Sequence, residues 1–84
     1  MYIVIFRPQA EKEYKKLSRS VQIQIRNKLK YYLSADNPLS FAAYLKDSSL
    51  GTYRYRIGDY RVIFDVQDDK LIILTLGNRR DIYK

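Results

Sequence analysis

Five arginines, Arg54, Arg56, Arg61, Arg79 and Arg80, and one tyrosine, Tyr83, have the types and spacing to do chemistry in this 84-residue chain. Guanidinium forks match the geometry of phosphate oxygens, and a phenol can donate a proton or offer a stacking surface to a base. The chain has no Cys and no His. A Cys/His metal site, a cysteine nucleophile and a Ser-His-Asp relay are therefore excluded. Catalysis must use carboxylates, Tyr, Lys or Arg. Sixteen Lys and Arg face nine Asp and Glu, for a net charge of +7, which raises the prospect of a polyanionic partner. The charge types are unevenly divided. Residues 1–42 hold five Lys and three Arg, as suits solvated helix faces, whereas residues 43–84 hold five Arg and three Lys.

The elements that position these residues follow from hydrophobic period. Tyr2 to Phe6 is a β-branched and aromatic run, read as a strand buried on both faces. Pro8 suits the first turn of a helix in which Ala10, Tyr14 and Leu17 form the apolar stripe. Ser18-Arg19-Ser20 ends it and offers an N-cap to a second helix, where Val21, Ile25, Leu29, Tyr32 and Leu33 continue at helical spacing. Ile23 falls outside that stripe. Ser34 to Pro38 breaks the helix, and residues 39–51 form a connection with room for a short helical turn. Three β-runs follow, Thr52 to Ile57, Tyr60 to Gln67 and Lys70 to Gly77, separated by the two-residue turns Gly58-Asp59 and Asp68-Asp69. The expectation is a single α+β domain over residues 1–84, in the order β-α-α-β-β-β, with an antiparallel sheet and an αα-hairpin packed on one face. No stretch is long enough to span a membrane or to form a secretory signal, so a cytoplasmic protein with no membrane partner is expected.

The tight turn at Gly58-Asp59 sets a register. It pairs Ile57 with Tyr60, Arg56 with Arg61, Tyr55 with Val62 and Arg54 with Ile63. Tyr53, Tyr55, Ile57, Tyr60, Val62, Phe64 and Val66 then share an apolar face, and Arg54, Arg56 and Arg61 share the other. Continued through Asp68-Asp69, the register puts Leu76 opposite Arg61 and sends Gly77, Asn78, Arg79 and Arg80 out on the Gly58 side. Like charges paired across a ladder are destabilising, by roughly 0.2–1 kcal/mol per pair. Each arginine alone is consistent with a solvated surface group offset by Asp59 or Asp65; the five together favour a polyanion site. Arg61, on the non-core face, is expected to be replaceable without loss of the fold. Tyr83 either packs as an apolar ring or returns to the arginine face. Asp65, Asp68 and Asp69 do not suggest a metal centre, because Asp68-Asp69 is a turn far from the arginines. No metal or other cofactor is expected.

The run Tyr53 to Phe64, followed by the closing run Gly77 to Tyr83, resembles the RelE/ParE toxin superfamily, and the resemblance covers essentially the whole chain. It implies a RelE/ParE-like, microbial-RNase-like fold. In the RelE branch it implies a metal-independent endoribonuclease that cuts mRNA on the ribosome and is neutralised by a RelB-like antitoxin. Arg54 and Arg56 match two basic residues of the RelE pattern, Arg61 the arginine opening the next strand, Arg79 the arginine after the glycine, and Tyr83 the terminal tyrosine. The resemblance thus casts Arg61, Arg79 and Tyr83 as catalytic and Arg54 and Arg56 as RNA-binding. Arg80 joins the RNA-binding set as a neighbour of the match. The chain departs from the pattern in carrying Asn78 where many relatives have His, and Arg54 and Arg56 where many have Lys. Arginine does not deprotonate, so the arginines can supply charge and position but no general base. The alternatives are a ParE-like inhibitor of DNA gyrase and a non-catalytic RNA-binding relative.

Overall fold

Pro8 at the first helical position and Ser18 before the second helix place the starts of two helices, as their chemistry requires. In a computed structural model describing residues 2–46 and 48–82, β1 (Ile3–Phe6) leads into α1 (Pro8–Lys15) and then α2 (Arg19–Leu33). The Ser18 hydroxyl accepts a hydrogen bond from the Val21 N–H at 3.4 Å. Gln22 clamps the helical hairpin: its amide donates to the carbonyls of Tyr14 and Leu17, and its own carbonyl accepts from the Tyr14 hydroxyl. A 3₁₀ turn at Pro38–Phe41 and the short strand β2 (Ala43–Tyr44) occupy the connection. The remaining elements are β3 (Tyr53–Ile57), β4 (Tyr60–Gln67), β5 (Lys70–Asn78) and a single helical turn, α3 (Arg79–Ile82).

The five strands form one sheet in the order β1-β5-β4-β3-β2. The three hairpin strands are antiparallel as expected, and β1 joins parallel to β5. That position corrects the expectation for β1. It is an edge strand with only one face covered: Val4 and Phe6 pack on the core, and Ile3 and Ile5 are exposed. A uniformly apolar run does not reveal which of its faces the helices will cover.

The core lies between the helices and one sheet face. Ala10, Ile25, Leu29 and Tyr32 meet Tyr55, Ile57, Val62, Phe64, Leu71, Ile73 and Leu76, and Tyr53, Tyr60 and Val66 pack at its margin. The expected apolar face of the β3–β4 hairpin is therefore the core face. Its rings form a chain, with centroids 4.6 Å apart from Tyr32 to Tyr55, 4.5 Å from Tyr55 to Phe64 and 5.5 Å from Phe64 to Tyr53. Ile23 stands outside the stripe and is 44% exposed.

Burial pushes the Tyr55 hydroxyl up from 10.0 to about 12, with smaller contributions from Tyr32 and Tyr2, while it donates to the Pro38 carbonyl at 2.9 Å. The folded state holds this proton more tightly than the unfolded chain. Stability from this group is thus fully present below pH about 10 and is lost as pH rises towards about 12. Relative to Tyr55→Phe, the wild type is expected to lose on the order of 2–3 kcal/mol over that window in denaturant titrations. A constant difference from pH 8 to 12 would contradict the assignment.

Candidate nucleic-acid interface

The sheet's second face is divided between a covered half and a basic half. Gly51 lies flat on the first: a Cβ there would stand 2.7 Å from Ile63 Cγ2 and 2.8 Å from Leu74 Cδ1. The adjacent Thr52 N–H donates to Asp65 Oδ1 at 2.8 Å. The connection after β2 therefore buries Ile63 from the side opposite the helices. Asp65 is engaged in holding that connection.

The basic half is built by the Gly58-Asp59 turn. Gly58 has φ +59°, which glycine adopts without strain, and the observed pairs Ile57–Tyr60, Arg56–Arg61, Tyr55–Val62 and Arg54–Ile63 are those the turn predicts. Arg54, Arg56 and Arg61 consequently share the face opposite the core. The next register differs by one residue. Gly77, rather than Leu76, lies across from Arg61, because a bulge between Ile63 and Phe64 leaves Leu74 as an extra residue on β5. The side-chain faces of Arg54, Arg56 and Arg61 are unaffected, since the extra residue lies on β5 and the β3–β4 pairing runs unbroken from Ile57–Tyr60 to Tyr53–Phe64.

Arg61 does not stand in water. It is 6% exposed, and its Nη1 donates to the carbonyls of Gly58 and Tyr60, each at 2.9 Å. It is a clamp on the hairpin turn, which corrects the expectation that it is dispensable to the fold. Arg56 is exposed and Arg54 half-buried. Asn78 lies beside Tyr60, and its Oδ1 accepts from the Arg80 N–H at 3.0 Å, starting α3. The Arg79 N–H donates to the Asp59 carbonyl at 2.8 Å, and Arg79 Nε lies 4.0 Å from Asp59 Oδ1. The turn thus gathers Arg56, Arg61, Arg79 and Arg80 at one end of the sheet. Arg54 is two residues further along β3, and Tyr83 lies outside the described residues.

Glu13 is a group that helical spacing hides. Placed on α1 outside the Ala10-Tyr14-Leu17 stripe, it reaches the edge of β5 beyond the end of β1, where its Oε1 accepts from the Thr75 hydroxyl at 2.8 Å and the Leu76 N–H at 3.1 Å. It seals an open strand edge. No local signal distinguishes it from Glu11, which pairs with Lys15 in solvent.

A family model described as the ParE toxin of the type II toxin–antitoxin system parDE matches residues 4–83. The chain belongs to the RelE/ParE toxin superfamily. It is a toxin of the type II toxin–antitoxin class. No curated protein gives a significant match. Among solved structures, the toxin is similar to a chain of the RelBE toxin–antitoxin complex of Mycobacterium tuberculosis, at 24% identity and TM-score 0.76, over 93% of this chain and 98% of that one. A chain of the intact E. coli RelBE complex gives 23% identity and TM-score 0.73, over 93% and 96%. A chain of the archaeal RelE–RelB complex of Pyrococcus horikoshii gives 28% identity and TM-score 0.71, over 95% and 97%. The α+β sheet-and-hairpin architecture is therefore that of the RelE toxins.

Proposed function

We propose that this toxin is a ribosome-dependent mRNA endoribonuclease, acting in the cytoplasm and neutralised by a RelB-like antitoxin. The observation that carries the proposal is the opposition of Arg56 and Arg61 across the β3–β4 ladder, with α3 adding Arg79 and Arg80 at the same turn. The like charges of Arg56 and Arg61 repel across the ladder, a cost that a bound phosphodiester would offset. Arg54, Arg56 and Arg80 hold phosphates of a bent mRNA segment. Arg61 and Arg79 stabilise charge on the non-bridging oxygens, and the turn carbonyls keep the Arg61 guanidinium preorganised. The ribose 2′-oxygen bonds to phosphorus as the P–O5′ bond breaks, and the Tyr83 hydroxyl protonates O5′. The products are a 2′,3′-cyclic phosphate and a 5′-hydroxyl. Because arginine keeps its proton, the 2′-hydroxyl proton leaves to water or to a ribosomal group. That need is one physical reason for ribosome dependence. The antitoxin assignment draws on the relatives, whose structures are RelB–RelE complexes.

The family match to ParE toxins favours a second reading, inhibition of DNA gyrase without cleavage. Mapping the cuts in end-labelled mRNA on programmed ribosomes, beside a gyrase supercoiling assay, tests both. Cleavage with cyclic-phosphate ends supports the first; gyrase inhibition with intact mRNA overturns it. Arg56→Ala, at an exposed position, is expected to weaken ribosome association and to reduce its log–log salt slope by about 0.7–0.9, the signature of one lost phosphate contact. Arg54→Ala is expected to act in the same direction. An unchanged slope in both variants would place these side chains away from RNA.

A further inference from the structure

The arginine side of the sheet continues from β4 onto β5. Gly77 lies across from Arg61 and Thr75 across from Ile63, so both belong to the face that Arg61 shares. Beside them is a cleft of about 200 Å³, walled by Gln9 and Glu13 of α1, Leu50 of the covering segment and Asp81 of α3. Ile82 stands over Gly77, its Cδ1 3.8 Å from where a Cβ would sit. A second hollow shares Gln9, Leu50 and Thr75 with the first and reaches Arg7, which is exposed. The two together lead from the end of the sheet that gathers the arginines to a cation on the far rim.

The cleft differs in charge from the rest of this side. Among the described residues its ionisable side chains are Glu13 and Asp81, so it disfavours phosphate although arginines stand on either side of it. The part of a polyanion that suits it is neutral and carries N–H donors. Glu13 is oriented to accept from one. Both hydrogen bonds that hold it, from the Thr75 hydroxyl and the Leu76 N–H, fall on Oε1, and Oε2 remains as an acceptor. Gln9 is exposed one helical turn away, with its Nε2 3.4 Å from Thr75 Oγ1, and its amide offers both a donor and an acceptor. Leu50 adds an apolar surface for the face of a ring.

We infer that this cleft is a nucleobase subsite of the mRNA-binding face, taking a base with an exocyclic amine, while Arg7 holds a neighbouring phosphate. The inference rests on the mRNA reading proposed above. The amine donates to Glu13 Oε2, the Gln9 amide meets the adjoining ring nitrogen or carbonyl, and the ring lies on Leu50; unstacked RNA bases are read in this way, by their hydrogen-bonding edges.

The test measures binding to purified ribosomes whose mRNA carries 2′-deoxy nucleotides across the vacant decoding codon, where no 2′-oxygen can attack. At each codon position a base is compared with its analogue lacking only the amine: hypoxanthine for guanine, purine for adenine, 2-pyrimidinone for cytosine. At one position the loss of the amine is expected to weaken binding roughly 10- to 100-fold, the scale of a hydrogen bond to a charged group. In Glu13→Gln the Thr75 and Leu76 donors retain Oε1, so Nε2 replaces Oε2 and a donor stands where the acceptor was. The amine preference should vanish there, and it should weaken in Gln9→Ala, at an exposed position; melting curves verify both folds. Arg7→Gln should lower the log–log salt slope by about 0.7, and Lys15→Gln, of equal net charge and outside the groove, by less. Equal reductions would overturn the part assigned to Arg7. No amine-dependent position in the wild type, or a preference unchanged in both Glu13→Gln and Gln9→Ala, would overturn the base subsite. An amine preference on ribosomes that leave all-ribose mRNA uncut would defeat the nuclease proposal and keep this one. Cleavage of all-ribose mRNA without any amine preference would do the reverse.

Discussion

Replacing Tyr83 with phenylalanine is expected to slow single-turnover cleavage on ribosomes by about 10²- to 10⁴-fold, the usual worth of a positioned general acid. The substitution removes one hydroxyl and keeps nearly all the apolar area and stacking surface of the ring. Melting temperature should therefore stay close to wild type. The alternative role for Tyr83, packing as an apolar ring, predicts the opposite pattern, with cleavage unchanged in Tyr83→Phe and stability lost only in Tyr83→Ala. Wild-type cleavage by Tyr83→Phe would mean that O5′ takes its proton from water or ribosomal RNA. A large fall in melting temperature would mean that the hydroxyl has a structural hydrogen bond.

Arg61→Ala is expected to fail in two separable ways. The guanidinium is buried and holds the carbonyls of Gly58 and Tyr60, so its loss should cost roughly 1–3 kcal/mol, the scale for hydrogen bonds to a charged group. For a domain of this size that lowers the melting temperature by roughly 5–15 °C. Removing a preorganised donor from the developing phosphorane should also slow cleavage by about 10²- to 10³-fold. Assays well below the variant's melting temperature separate the two effects. Arg61→Lys keeps the charge, but one ammonium engaged by both carbonyls lacks the further N–H donors of the guanidinium, and it should remain impaired in cleavage. A variant that melts like the wild type would remove the clamp. One that is destabilised yet cleaves at the wild-type rate when folded would confine Arg61 to the turn.

The coupling of turn to site explains why Arg61 carries both expectations. Gly58 and Asp59 touch α2 through Gln24, β4 through Arg61 and α3 through the Arg79 N–H. A substitution that loosens this turn displaces the segment carrying Arg79 and Arg80 as well as the strand carrying Arg56.

Sequence alone determined what is local in this protein. The Gly58-Asp59 turn sets the β3–β4 register because two residues joining antiparallel strands allow one pairing, and alternation then separates Tyr55, Val62 and Phe64 from Arg54, Arg56 and Arg61. The helical stripes, the Ser18 cap and exposed Ile23 follow from period and cap chemistry in the same way. Tertiary structure decided the rest. The bulge at Ile63/Phe64 moved Gly77 opposite Arg61, the covering segment at Gly51 buried Ile63 on the arginine side, β1 became a half-exposed edge, and Glu13 found the rim of β5. Arg61, like Arg56 in type and in face, turned inward onto carbonyls where Arg56 stayed in solvent. The strand-edge, bulge and covering outcomes depend on which other segment arrives to satisfy a backbone group or cover an apolar side chain, as Glu13 does for Leu76 across 63 positions, and such contacts leave no period or spacing in the local sequence. The Arg61 contacts lie within its own turn, but alternation assigns a face and not the rotamer that folds the guanidinium back onto the carbonyls.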